Sequence, residues 1–212
     1  MAEALSTVGV EQEVFGLVRQ AIEEYGLFRP GESVCVAASG GKDSLALLDV
    51  LRRLGYPVEA LAVDEGIAGY RDREVGVLRE YCEREGVPLR VVSFSEEFGK
   101  PLDGMVEGRY PCSVCGVLRR HLLNRYAKRY DVIATGHNLD DEAQAVLMNL
   151  MKGNAHLLDR SFARSPPAQG FVPRVKPLIL VPEESLKAYA EERGFDVSFA
   201  RCPYVSSSLR NQ

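Results

Sequence analysis

Apolar positions along this chain alternate between stretches at helical spacing and short continuous runs. Val14, Leu17, Val18, Ala21, Ile22 and Tyr25 recur at helical intervals between Glu11 and Leu27, and Gly26 and Pro30 close that stretch. A continuous apolar run, Ser33 to Ala38, then reads as a strand buried on both faces. The pair repeats as helix Ser44 to Leu54, turn Gly55-Tyr56-Pro57 and strand Val58 to Val63. It repeats again as helix Arg71 to Glu85, turn Gly86-Val87-Pro88 and strand Leu89 to Phe94. An irregular stretch, Ser95 to Pro111, precedes helix Ser113 to Arg129, strand Val132 to Thr135 and helix Asp140 to Lys152. Gly153 to Val172, with Pro166-Pro167 and Gly170, reads as a mobile loop. Arg174 to Leu178 reads as a last short strand, Glu183 to Arg193 as a helix and Ser198 to Gln212 as a tail.

Short strands alternating with helices predict an α/β fold: a doubly wound, parallel, five-stranded sheet with helices on both faces, Rossmann-like in plan. We expect residues 1–30 to form a helical segment packed on a central domain of residues 31–180. Residues 181–212 would add a helix and a tail. Ligands of such sheets bind beyond the carboxyl ends of the strands, where strand order reverses. Three polar groups fall there: Ser39 to Ser44 after the first strand, Asp64 to Asp72 after the second, and Gly136 to Glu142 after the fourth.

Ser39-Gly40-Gly41-Lys42-Asp43-Ser44 joins a strand to a helix and has the makings of a phosphate cradle. Adjacent glycines let backbone approach an anion, and the unpaired N–H groups of a helix start point at it with the dipole behind them. Lys42 can add a point charge, and Ser39 and Ser44 hydroxyl donors. The order matches neither the Walker A pattern nor the dinucleotide G-x-G-x-x-G.

The chain's 212 residues, 46% hydrophobic and 26% charged, suffice for one large core. No run of 18 apolar residues occurs and the start is acidic, so neither a membrane span nor a signal peptide is indicated, and a cytoplasmic protein is expected. A net charge of −4 argues against an indiscriminate nucleic-acid binder. Charge is unevenly spread, however: Arg109, Arg119, Arg120, Arg125, Lys128 and Arg129 surround the pair Cys112/Cys115. That stretch is either a phosphate-binding face or a solvated helix surface.

Of the five cysteines, Cys35 and Cys82 sit in apolar patterns and read as core. Cys112 and Cys115 open a helix, where the N-terminus and nearby arginines favour thiolate, and Cys202 stands far downstream. Three such thiolates can bind zinc or hold three irons of a [4Fe–4S] cluster. The C-x-x-C pair alone also fits a redox dithiol, half of a zinc site or ordinary capping residues.

The segments S-G-G-K-D-S, D-E-G-I-A-G-Y-R-D, P-C-S-V-C-G-V-L-R-R-H-L-L-N, A-T-G-H-N-L-D-D-E-A-Q and C-P-Y occur here in one order. The first resembles the PP-loop of ATP pyrophosphatases, and the set is similar to the tRNA 2-thiolation enzymes of the TtuA/TtcA group, closest to its archaeal and eukaryotic cytoplasmic branch. The resemblance implies ATP at Ser39, Gly40, Gly41, Lys42, Asp43 and Ser44, and adenylation of the C2 oxygen of a tRNA pyrimidine, uridine above all, followed by its replacement with sulfur. It implies a [4Fe–4S] cluster on Cys112, Cys115 and Cys202, with zinc or no metal as alternatives. Asp141 or its neighbour Asp140 takes a magnesium or catalytic role, and Asp43 is a second hard ligand for Mg2+. Asp64 stands near ribose or magnesium or caps its own loop; Gly136 and His137 belong to the nucleotide side, His137 equally as a structural histidine. Implied partners are tRNA, a sulfur donor that is a ubiquitin-like thiocarboxylate protein or sulfide, and a second copy in a homodimer. Relatives carry Lys or Arg at the position of Arg119, and arginine argues against proton transfer there. Terminal C-x-x-C zinc modules found in TtuA-type members have no counterpart in this chain, so the tRNA affinity they supply is expected to be reduced or absent. The rival readings are a lysidine-synthetase-like PP-loop ligase, which needs no cysteine trio, and a non-catalytic adenine nucleotide-binding protein.

Overall fold

β1 (Val34–Ala37) lies at the centre of a five-stranded sheet of order β3-β2-β1-β4-β5, every neighbouring pair parallel. In this computed structural model residues 9–29, 31–106, 110–154, 156–158, 162–166, 168–196 and 202–205 are described. Val34 registers with Val58 of β2 (Val58–Asp64) on one side and Val132 of β4 (Val132–Thr135) on the other. β3 (Leu89–Ser93) and β5 (Arg174–Val175) form the edges.

Alternate strand residues feed two cores, one on each face. Val34, Val36, Ala60, Ala62, Val132, Ala134 and Val175 pack under α1 (Val10–Glu24), α2 (Lys42–Arg53) and α7 (Glu183–Glu192). Cys35, Leu61, Val63, Val92 and Ile133 pack under α5 (Pro111–Tyr126), with Phe94 from α4 (Phe94–Phe98) and Leu102 from a 3-10 turn. The doubly wound plan expected from the sequence is therefore present. α2 is enclosed on all sides: every residue from Ser44 to Leu51 is buried. Leu45, Leu47, Leu48 and Leu51, each fully buried, contribute about 1.5–3 kcal/mol apiece.

Asp49, at 0% exposure, is the polar exception inside α2. It accepts hydrogen bonds from Tyr81 of α3 (Arg71–Glu85) at 3.0 Å, and from Tyr189 of α7 at 2.7 Å and Arg193 just beyond it at 2.9 Å. Burial alone would raise its pKa, but these donors outweigh that effect and hold it below the usual carboxylate range.

Departures from the expected boundaries have local causes. α5 begins at Pro111 rather than Ser113, since proline at the first helical position loses only an N–H that has no helical partner. α6 (Leu139–Met151) begins one residue earlier than expected, because Asn138 caps it: Asp141 N–H donates to Asn138 Oδ1 at 2.9 Å and Asn138 N–H donates back to Asp141 Oδ2. β5 stops at Val175, two residues before Pro177. The stretch expected to be irregular contains α4 and the turn Leu102–Gly104, while residues 107–109 lie outside the described residues. Residues 155, 159–161 and 167 of the Gly153 to Val172 expectation and most of the tail also fall there, and the described part of that loop carries bridges from Arg164 to Val175 and from Ala168 to Phe171. No helix among the described residues is long and apolar enough to cross a membrane.

Candidate nucleotide and thiol site

A cleft of about 320 Å³ opens at the carboxyl ends of β1, β2 and β4, lined by Ser39, Gly41, Asp43 and Ser44 from the first loop, Glu65 and Arg71 from the second, and Gly136, His137 and Asp141 from the third. All three polar groups noted in the sequence thus meet at one place. Gly40 supports the loop from behind: its φ is +90°, and a Cβ there would lie 2.1 Å from the Glu74 carbonyl oxygen. Gly136 lets β4 pass the start of α2, since a Cβ would stand 3.1 Å from both Asp43 carbon and Ser44 nitrogen.

The serines hold the loop in shape. Ser44 Oγ accepts from the N–H groups of Ser39 and Gly40, both at 3.1 Å, and donates to Gly41 carbonyl oxygen at 2.9 Å. Gly41 supplies no side-chain cap, so the opening N–H groups of α2 are left for an anion. Lys42 does not line the cleft; its Nζ lies 2.8 Å from Asp43 and 3.1 Å from Glu183 of α7. Burial lowers its pKa and those two carboxylates more than reverse the effect, so it stays charged. Asp43 is pushed up, by burial first and by Asp141 and Glu183 against the pull of Lys42. Two carboxylates that repel one another beside a phosphate cradle suit a divalent cation, since Mg2+ takes one or two carboxylates plus phosphate oxygens.

Asp64 stays out of the cleft and caps its own loop, accepting from Gly66 N–H at 2.9 Å. His137 lines the cleft with Nδ1 2.9 Å from Thr135 Oγ1. The sequence reading passed over Glu65 and Arg71, both about 4% exposed. Arg71 donates to Val63 carbonyl oxygen from Nη2 at 2.7 Å and to Ser39 carbonyl oxygen from Nη1, tying the ends of β1 and β2 together. Glu65 Oε2 lies 2.7 Å from Arg71 Nε, but that N–H is directed to Val63, so the oxygen has no aligned donor among the described residues. The available signal was Glu65 directly after the acidic strand end Asp64, and Arg71 at the start of α3 in the same polar group.

The thiols sit behind Glu65. Cys112 and Cys115 occupy the first turn of α5, and Cys112 Sγ donates to Tyr204 carbonyl oxygen at 3.2 Å, which brings the 202–205 segment back across the chain. Tyr204 hydroxyl, bonded to Asp103 at 2.7 Å, anchors that segment. Cys115 and Cys202 each feel the charges of Glu65 and Arg119, whose guanidinium lies 3.6 Å from Glu65. Lowered thiol pKa values were expected, but Cys115 and Cys202 are raised. Burial first, then Glu65, pushes Cys115 up to about 11, and burial likewise raises Cys202. A helix start cannot offset desolvation beside a carboxylate. Cys35 and Cys82 are buried in the core, as expected.

A parallel sheet of order 3-2-1-4-5 with a non-Walker glycine loop at its switch point defines a nucleotide-binding domain of the ATP pyrophosphatase class. Residues 11–201 match the PP-loop domain, and the chain belongs to that family, within its tRNA 2-thiolation group. It is 38% identical over 190 residues to tRNA-5-methyluridine(54) 2-sulfurtransferase of Pyrococcus horikoshii, covering 89% of this chain and 61% of that one. Cytoplasmic tRNA 2-thiolation protein 1 of Danio rerio is 37% identical over 206 residues, covering 91% and 60%. The chain thus spans about 60% of the length of these curated relatives. The U34-tRNA thiolase NcsA from Methanococcus maripaludis, solved with its [4Fe-4S] cluster, superposes with a TM-score of 0.81 at 35% identity, covering 93% of this chain and 69% of that one. NMN synthetase from Francisella tularensis shares the fold alone, at 14% identity and a TM-score of 0.56.

Proposed function

We propose that the protein is an ATP-dependent tRNA sulfurtransferase that adenylates the C2 oxygen of a pyrimidine, uridine in the first instance, and replaces it with sulfur. The observation that carries this reading is that Glu65 and Arg119 line the nucleotide cleft and also act on Cys115 and Cys202, so activation and thiol chemistry share one wall. In the first step the base oxygen attacks the α-phosphorus of ATP and pyrophosphate leaves toward the α2 N-terminus. In the second, hydrosulfide adds at C2 and AMP leaves with the original oxygen. The loop N–H groups bind the departing phosphates, and Asp43 and Asp141 would hold a Mg2+ ion that offsets their charge.

Three cysteine thiolates are the soft donor set that iron–sulfur clusters take, with zinc as the alternative. Cys112, Cys115 and Cys202 would hold a [4Fe-4S] cluster, and its fourth iron, without a protein ligand, supplies a binding position for sulfur. The names of the relatives, and the cluster in the NcsA structure, support this reading. A cytoplasmic location, a ubiquitin-like thiocarboxylate or sulfide as donor, and a homodimer belong to the same proposal. So does the division into residues 1–30, 31–180 and 181–212, the last bringing the third cysteine.

Anaerobically purified protein incubated with ATP, Mg2+, sulfide and unmodified tRNA should release one pyrophosphate and one AMP per thionucleoside, counted by mass spectrometry. Replacing Cys112, Cys115 and Cys202 with alanine should abolish thiolation and leave ATP binding intact. Modification that survives the triple replacement would indicate a lysidine-synthetase-like ligase, and no pyrophosphate release would indicate a non-catalytic nucleotide binder.

A further inference from the structure

The basic stretch around the cysteine pair is sorted by the structure into spent and unspent charges. Arg125 is paired with Glu97 at 2.8 Å, Arg129 with Glu59 at 2.7 Å, and Arg119 stands 3.6 Å from Glu65. Arg109 lies outside the described residues. Arg120 has no carboxylate partner among the described residues, and its guanidinium is folded toward the backbone beside Cys115, with Nη1 3.5 Å from where a Cβ on Gly116 would stand.

A second unpaired arginine arrives from another element. Arg174 of β5 registers with Ile133, and its neighbour Val175 is fully buried on the α1/α2/α7 face, so alternation along the strand sends Arg174 to the α5 face with Arg120. It is half-buried and has no carboxylate partner among the described residues. Burial, and then the charge of Arg120, hold its pKa below the usual arginine value. Two guanidiniums that repel one another, one of them half-buried, are costly unless an anion completes them. Beside them the 168–174 segment is clasped to α5: Asn124 Oδ1 accepts from Val172 N–H at 2.9 Å and Asn124 Nδ2 donates to Gly170 carbonyl oxygen at 3.0 Å. That clasp displays Phe171, 64% exposed, at a tight Ala168–Phe171 bridge. Neither Arg120, Arg174 nor Phe171 lines the nucleotide cleft.

We propose that Arg120 and Arg174 together bind one phosphodiester of the RNA substrate, with Phe171 stacking on an adjacent unpaired base, and so hold the RNA where its target base reaches the cleft. This rests on the RNA reading above. Guanidinium pairs match phosphate oxygens bidentately, and an exposed aromatic beside them fits single-stranded RNA, which free phosphate would not need.

The test is tRNA binding by fluorescence anisotropy across a salt series, alongside ATP binding by calorimetry. The variants are Arg120→Gln, Arg174→Gln, their double, Arg174→Lys and Phe171→Ala, with Arg125→Gln and Arg129→Gln as controls. The double variant should bind tRNA about tenfold more weakly, and its slope of log affinity against log salt should be shallower by about 1, with ATP affinity unchanged. Phe171→Ala should weaken tRNA binding without changing that slope, Arg174→Lys should keep the slope, because the charge remains, and lose part of the affinity with the bidentate fork, and the controls should match wild type. Removing one of two like charges should leave the melting temperature of Arg174→Gln unchanged or raised, which separates lost contact from misfolding. Weakened ATP binding with tRNA binding intact would reassign the pair to the nucleotide's phosphates and overturn the proposal. Equal tRNA binding by wild type and double variant would overturn it while leaving the RNA reading standing. Wild-type protein that binds no tRNA at low salt would remove both.

Discussion

Gly40 shows how little freedom the nucleotide loop has at single positions. Its φ is +90°, and the Glu74 carbonyl oxygen lies 2.1 Å from where a Cβ would stand, so any side chain would have to push α3 away from the loop. Gly40→Ala is expected to cost about 2–4 kcal/mol in urea unfolding and to abolish ATP binding by calorimetry. Gly116→Ala is the contrasting case: it lies inside α5, the nearest neighbour of an added Cβ is the flexible end of Arg120 at 3.5 Å, and the change should stabilise the protein by about 0.5–1 kcal/mol in urea unfolding. The glycine pair was readable from sequence as a phosphate turn. Glu74 as the reason for the first glycine was not, since the contact joins residues 34 positions apart, a separation no local pattern encodes. Glu65 was missed for a related reason: a buried carboxylate looks like any acidic loop residue until its surroundings are known.

Elements were legible where their own residues decide them. The enclosed α2 and the central β1 and β4 announced themselves as apolar runs, while α6 was expected one residue late because the Asn138 cap was not read. Elements held by partners elsewhere were less so. α4 is five residues long and ends at the left-handed Gly99, and β5 has two residues whose place depends on β4. Asn124 illustrates such dependence, because one side chain of α5 fixes both the Gly170 carbonyl and the Val172 N–H ahead of β5. Asn124→Ala should destabilise the protein by about 1–2 kcal/mol in chemical unfolding. Hydrogen exchange should accelerate at the Val172 amide and leave that of β1 unaffected.

At the scale of the molecule, the alternation of strands and helices foretold the layers but not the return of the 202–205 segment to α5. Only the family resemblance, by grouping Cys202 with Cys112 and Cys115, pointed to it; the contacts that make it, Cys112 with the Tyr204 carbonyl and Tyr204 hydroxyl with Asp103, carry no local signal. Asp49 is the other long-range junction, joining α2, α3 and the end of α7. Its folded pKa is depressed, so its contribution is complete above the unfolded carboxylate value near 3.9 and is lost as pH falls through the lower folded value. Asp49→Asn should destabilise by about 3–5 kcal/mol at pH 7, and thermal melts should show the gap to wild type narrowing below about pH 4. The contact of Lys42 with Glu183 ties the nucleotide loop to α7 as well. Glu183 and Asp43 thus keep the Lys42 charge in reserve outside the cleft, and under the proposed function a phosphate would recruit that cation only by drawing it away from α7.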